Sequence, residues 1–110
     1  MEWEITFYNE KLEQELLNVP EGILARYLHY LDRMTIYGPN LGMPHTRALG
    51  DALFELRIKS REGVGRVFYC TLVGRKIVML HYVIKKTQKT PTKELQIAKN
   101  RMKEIKNANV

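Results

Sequence analysis

Arg57 and Lys59 alternate along residues 53–60, Arg66 follows a short turn holding two glycines, and Lys85 and Lys86 close an apolar run over residues 77–84. Side chains two positions apart in a strand share a face, and Arg66 lies just across the hairpin turn. If the strands pair in chain order, four or five cations converge around one exposed face of a sheet. Glu55 is the one acid on the Arg57 and Lys59 side of its strand. A set of this kind repels itself unless a phosphate chain fills it, and the same repulsion lowers the pKa of a lysine. The chemistry on offer is therefore phosphate clamping by arginine forks, with a lysine of depressed pKa as base. The plainer alternative is that alternating charges mark the solvated side of a half-exposed sheet.

The other reactive side chains give weaker signals. His29, His45 and His81 are too scattered to read as a metal site. His29 reads as a surface or boundary residue, His81 as a hydrogen-bonded core histidine inside an apolar strand, and His45, in a loop, is open to either reading. Cys70 is the sole cysteine, which excludes an intrachain disulfide and a cysteine-cluster zinc site; it reads as a small buried hydrophobe. Tyr69 and Tyr82 could stack on bases, but strands this apolar favour core packing for both. There is no phosphate-cradling glycine motif, no Ser-His-Asp order and no paired-carboxylate signature. Neither cofactor nor metal is expected.

Charge points the same way as the cluster. The 110 residues carry 18 Lys plus Arg against 12 Asp plus Glu, a net of +6. Residues 1–35 hold seven acids and three bases, a net of −4, and residues 36–110 hold 15 bases and five acids, a net of +10. A +10 segment of 75 residues is a stronger polyanion signal than the chain average. The length suits one domain, 1–110, and 45% hydrophobic residues suffice for one core. No apolar run reaches the roughly 20 residues of a membrane span, and the start lacks the basic and apolar regions of a signal peptide. A soluble, cytoplasmic protein is expected.

The elements that must position the cations follow from periodicity. Trp3, Ile5 and Phe7 alternate with polar residues as a short strand. Asn9 caps a helix starting at Glu10, and after the break at Val19, Pro20 and Gly22, with Asn18 a possible second cap, Leu24, Tyr27, Leu28, Leu31 and Met34 stripe a second helix. Residues 38–51, with Gly38, Pro39, Gly42, Pro44 and Gly50, read as loop. Strands follow over 53–60, 66–73 and 77–84, joined by a turn over Ser60–Gly65 and another at Gly74 and Arg75. The nearly continuous apolar run 77–84 suits a strand covered on both faces. Thr90 and Pro91 then start a last helix, striped by Leu95, Ala98, Met102 and Ile105. The order is β-α-α-β-β-β-α, an α+β domain whose small antiparallel meander gains the N-terminal strand and carries its helices on one face.

The run from Pro44 to Arg57, PHTRALGDALFELR, resembles the loop-strand signature of phage-derived and HigB-type members of the RelE/ParE toxin superfamily. Arg66-Val67-Phe68-Tyr69 resembles the family's next strand, and Lys85 to Pro91 with Glu94, Ala98 and Arg101 its closing segment. The likeness spans nearly the whole chain in register. It implies a RelE-like fold and the toxin of a type II toxin-antitoxin pair. It further implies a metal-independent endoribonuclease that cuts mRNA on the ribosome by 2′-hydroxyl attack, stops translation, and is neutralised by a cognate antitoxin, expected to be of helix-turn-helix type. By this resemblance Arg57, Lys59, Arg66 and either Lys85 or Lys86 are the catalytic set, with Lys59 the proton-transfer candidate and Arg57 and Arg66 on the scissile phosphate. Arg47, Arg61 and Lys89 are further RNA-binding candidates. Two departures stand out: Ala52 replaces the family's usual glycine, and the last helix has no tyrosine to stack on mRNA. The alternatives are a DNA gyrase inhibitor like the ParE branch and a phage-derived nucleic-acid-binding protein without toxicity.

Overall fold

Asn9 turns the chain from strand to helix: its side-chain oxygen accepts the Leu12 amide at 2.8 Å, satisfying an otherwise orphaned donor. The computed structural model describes residues 2–86 and 89–108. Its elements are β1 (Glu4–Phe7), α1 (Glu10–Leu17), α2 (Glu21–Tyr37), β2 (Thr46–Gly50), β3 (Leu53–Ser60), β4 (Gly63–Leu72), β5 (Lys76–Lys85) and α3 (Thr92–Ala108). They form one five-stranded mixed sheet in the order β1-β5-β4-β3-β2. The strands β2 to β5 are antiparallel neighbours, and β1 lies parallel to β5. The α+β class and the meander follow the sequence reading, and this architecture is compatible with a RelE-like fold.

The placement of the helices departs from the expectation of a single covered face. Leu56, Ile58, Val67, Tyr69, Ile77 and Met79 pack toward α1 and α2. Their alternates Leu53, Phe68, Cys70, Val78 and Leu80 pack toward Ala98 and Met102 of α3. The sheet is therefore sandwiched between the α1–α2 pair and α3. The cause is visible in β4 and β5, whose apolar runs leave neither face polar enough for water. Cys70 belongs to the α3-side core, and burial pushes its thiol up to about 11.

Two local readings also change. Residues 46–50, expected as loop, form the edge strand β2, with Arg47 opposite Glu55 and Thr46 opposite Leu56. Glycines and prolines on both sides obscure a strand only five residues long. The β3–β4 turn is shorter than Ser60–Gly65: Ser60 already pairs with Gly63, leaving Arg61 and Glu62 as its tip. Gly65 lies inside β4, where an added Cβ would meet Ile23 Cγ2 of α2 at 3.2 Å. That glycine serves close helix-to-sheet approach rather than a turn. Asn18 closes α1, and Pro20 rather than Asn18 precedes α2.

The β2–β3 turn carries the substituted glycine position. Asp51 and Ala52 sit at φ 54° and 65°. Two central residues at positive φ mark a primed hairpin turn, which strongly prefers glycine second. An alanine there is strained by its Cβ. Ala52→Gly is expected to raise stability by about 1 kcal/mol, since relief of left-handed strain outweighs the added chain entropy. Thermal melting checks this; an unchanged or lower midpoint would contradict it.

Candidate functional site

Antiparallel register places Arg57 directly opposite Arg66 on neighbouring strands, on the face shared with α3. Two pairs further along, on the same face, Glu55 lies opposite Phe68 on β4 and opposite Arg47 on β2. Like charges in a direct cross-strand pair repel, so something must hold the two guanidinium groups there. Glu55 does this for Arg66. Its carboxylate is 4% exposed and forms ion pairs of 3.5 Å with Arg66 Nε and with Arg47 Nη2. Thr90 Oγ1 donates to the same carboxylate at 2.7 Å. Expected to start the last helix, Thr90 instead gives its hydroxyl proton to the sheet and fastens the segment carrying Lys89 to it.

Arg66 is the most deeply set of these cations, at 1% exposure. Its pKa is lowered: burial is the largest cause, Glu55 opposes it, and Arg57 and Arg47 add to it. Arg57 is half-buried, and its amide donates to the carbonyl of His45 at 2.9 Å. That bond carries the β2–β3 ladder one step past Thr46 and sets His45 alongside Arg57.

An open cleft of ≈ 360 Å³ lies over this arrangement. Its floor is Glu55, Arg57 and Arg66; one wall runs from Met43 through His45 to Arg47, and the other comprises Lys89, Thr90 and Leu95. Among the described residues that line it, four side chains are basic and Glu55 alone is acidic. A cleft so charged concentrates polyanions. Among the described residues no group of three or more His, Cys, Asp and Glu is placed to hold a metal ion.

The sequence candidates fall into two groups. Arg57, Arg66, Arg47 and Lys89 meet in the cleft. Lys59 does not line it; exposed near the far end of β3, it pairs with Val64, and its carbonyl accepts from Arg26 of α2. Lys85 faces Val64 from β5 and lines a shallow depression with Lys89, Thr90, Pro91 and Thr92, adjoining the cleft. Lys86 is exposed just past β5, and Arg61 is exposed at the tip of the β3–β4 turn. Thr87 and Gln88 of the closing segment lie outside the described residues.

The remaining readings resolve into structure. His81 stacks on Phe68 and its Nε2 meets Glu94 at 3.1 Å. Arg101 donates to the Leu80 carbonyl at 2.8 Å and lies 4.5 Å over the Tyr8 ring. Glu94, Ala98 and Arg101 thus join α3 to the sheet. Tyr69 is fully buried and donates its hydroxyl to the Pro39 carbonyl, while Tyr82 packs on the α1–α2 side, away from the cleft. Sequence reasoning missed three members: Glu55 as the centre of the ion pairs, Thr90 as its tether, and His45 as a wall. The spacing of Glu55 and Arg57 already carried the first signal.

The family described as phage derived protein Gp49-like (DUF891) matches residues 14–103. That stretch includes every residue of the cleft. No curated protein matches the chain.

Proposed function

The chain belongs to the Gp49-like phage-derived family, which is associated with toxin-antitoxin systems and related to RelE-like toxins, and on that premise we propose that it is a type II toxin that cuts mRNA on the ribosome. The observation that carries this reading is the direct opposition of Arg57 and Arg66 on the cleft floor. Two guanidinium groups set directly opposite each other, with the carboxylate beside them paired to Arg66 and Arg47, make a strongly basic floor suited to a phosphodiester. Cleavage of RNA by its own 2′-hydroxyl also needs charge neutralised on a five-coordinate phosphorus, which paired arginine forks supply. Arg47 and Lys89 on opposite walls would hold the flanking phosphates. In the free state an antitoxin segment with acidic or apolar anchors would occupy the same basic surface.

Brief induction of the protein in growing cells, followed by primer extension on cellular mRNA, tests the proposal. Growth arrest with cuts inside translated codons is the expected result. Intact mRNA accompanied by DNA damage would overturn it in favour of gyrase inhibition. Normal growth with only salt-sensitive nucleic-acid binding would overturn it in favour of a binding protein. Co-expression of a small neighbouring reading frame encoding a helix-turn-helix protein is expected to restore growth.

A further inference from the structure

We infer that His45 is the general base of this cleft, taking the proton of the attacking 2′-hydroxyl, with Tyr30 as the residue that orients its ring; the inference rests on the ribonuclease reading above. Transfer of a phosphate from O5′ to O2′ needs a group that can accept a proton. The arginines cannot serve, because guanidinium keeps its proton at any working pH. Glu55 is buried with one oxygen facing Arg47 and the other engaged by Thr90 and Arg66. Lys59 does not line the cleft. Histidine is the side chain type that exchanges protons near neutrality, and His45 is the one imidazole among the described residues of the lining.

Its setting is built. The Tyr30 hydroxyl of α2 lies 3.0 Å from His45 Nδ1, with the two rings tilted at 5.2 Å between centroids. The His45 carbonyl is fixed by the Arg57 amide. Backbone and ring are therefore both held, next to a clamp arginine. With Nδ1 engaged by Tyr30, Nε2 is the nitrogen left to serve the cleft. When Nδ1–H donates to the tyrosine oxygen, Nε2 presents a lone pair, which is what a base requires.

The step balances as follows. Nε2 accepts the 2′-hydroxyl proton as O2′ forms its bond to phosphorus. The P–O5′ bond breaks, its electron pair stays on O5′, and O5′ takes a proton from water. The products are a 2′,3′-cyclic phosphate and a 5′-hydroxyl, and the imidazolium returns its proton to the hydroxide left in solvent.

The test uses purified protein and ribosomes programmed with a short mRNA under single-turnover conditions. Two substrates are compared, one natural and one with sulfur in place of the bridging O5′, whose thiolate departs without protonation. His45→Ala is expected to slow cleavage of both by about 100-fold or more, and Tyr30→Phe by a smaller factor. His45→Gln, which keeps an amide near Tyr30, provides the same comparison should the alanine variant melt below the assay temperature. Cleavage by the folded variants within about 3-fold of the parent, against the 10²–10⁴-fold typical of a positioned base, would overturn the assignment while leaving the ribonuclease reading intact. Restoration of the rate by the sulfur substrate would overturn it by making His45 an acid. Failure of the parent protein to cut on programmed ribosomes would bring down the ribonuclease reading and His45 with it.

Discussion

Arg57→Ala is expected to slow mRNA cleavage by about 100-fold or more and to abolish growth arrest, while the protein melts close to the parent temperature. Arg57 is half-buried at the surface of the cleft floor, so its truncation removes a phosphate donor without opening the core. It also relieves repulsion across β3 and β4, since Arg66 lies directly opposite. Activity and stability should then move in different directions, which separates a functional guanidinium from a structural one. Arg66→Ala gives a different pattern. That side chain is almost wholly buried against Glu55, so its loss should remove activity and lower the melting midpoint together. Arg57→Lys keeps the charge but not the fork, and should recover only part of the rate. Single-turnover cleavage and thermal melting of the three variants check the argument. Full toxicity in Arg57→Ala would remove the arginine pair from the site.

Glu55→Ala should be the most destabilising change in the cleft, at about 3–5 kcal/mol. The mutation deletes the carboxylate that both Arg47 and Arg66 face and leaves the Thr90 hydroxyl without its acceptor. Arg66 would then remain buried opposite Arg57 with that compensation gone. For a chain of this size the loss corresponds to a fall in melting midpoint on the order of 10–30 °C. Glu55→Gln should cost less, because its amide oxygen still accepts from Thr90. A polyanion offers a further check. A short non-cleavable RNA binding the folded state should raise the midpoint of Glu55→Ala more than that of the parent, because it replaces the missing negative charge. Equal midpoints for parent and alanine variant would mean that the ion pairs contribute nothing to folding.

Much of the scaffold could be read from local signals. Asn9 capping α1, the apolar stripe of α2 and the meander of β3 to β5 all rest on periodicity or single-residue chemistry. That Arg66 returns across a hairpin turn near Arg57 followed too. Their direct opposition depends on the two-residue tip at Arg61 and Glu62, since a one-residue change in the turn would shift the register. What escaped depends on long-range register. Arg47 meets Glu55 only because β2 is a strand, and its flanking glycines and prolines mask that. His45 gains its neighbours from α2 and β3, neither of which is close in sequence. Lys59 and Lys85 fall outside the cleft lining for the converse reason. Strand register puts Lys59 and Lys85 opposite Val64 on the Arg57 face, but each step along a strand advances about 3.3 Å, and two residues suffice to carry Lys59 past the cleft lining. The covering of both sheet faces was written in the apolar run of β5, yet a helix count alone does not say which helix takes which side.

The strained Asp51–Ala52 turn offers a practical handle on this chemistry. It joins β2 to β3 at the end away from His45 and Arg57, and none of its residues lines the cleft. Ala52→Gly is thus a second-site suppressor by construction. Carried in the same chain, it should offset part of the folding deficit of Glu55→Ala or Arg66→Ala nearly additively, since three residues of strand put Ala52 about 10 Å from Glu55 and sites at that separation couple weakly. Cleft variants that would otherwise vanish from cells as degraded protein could then be scored for what they do to RNA.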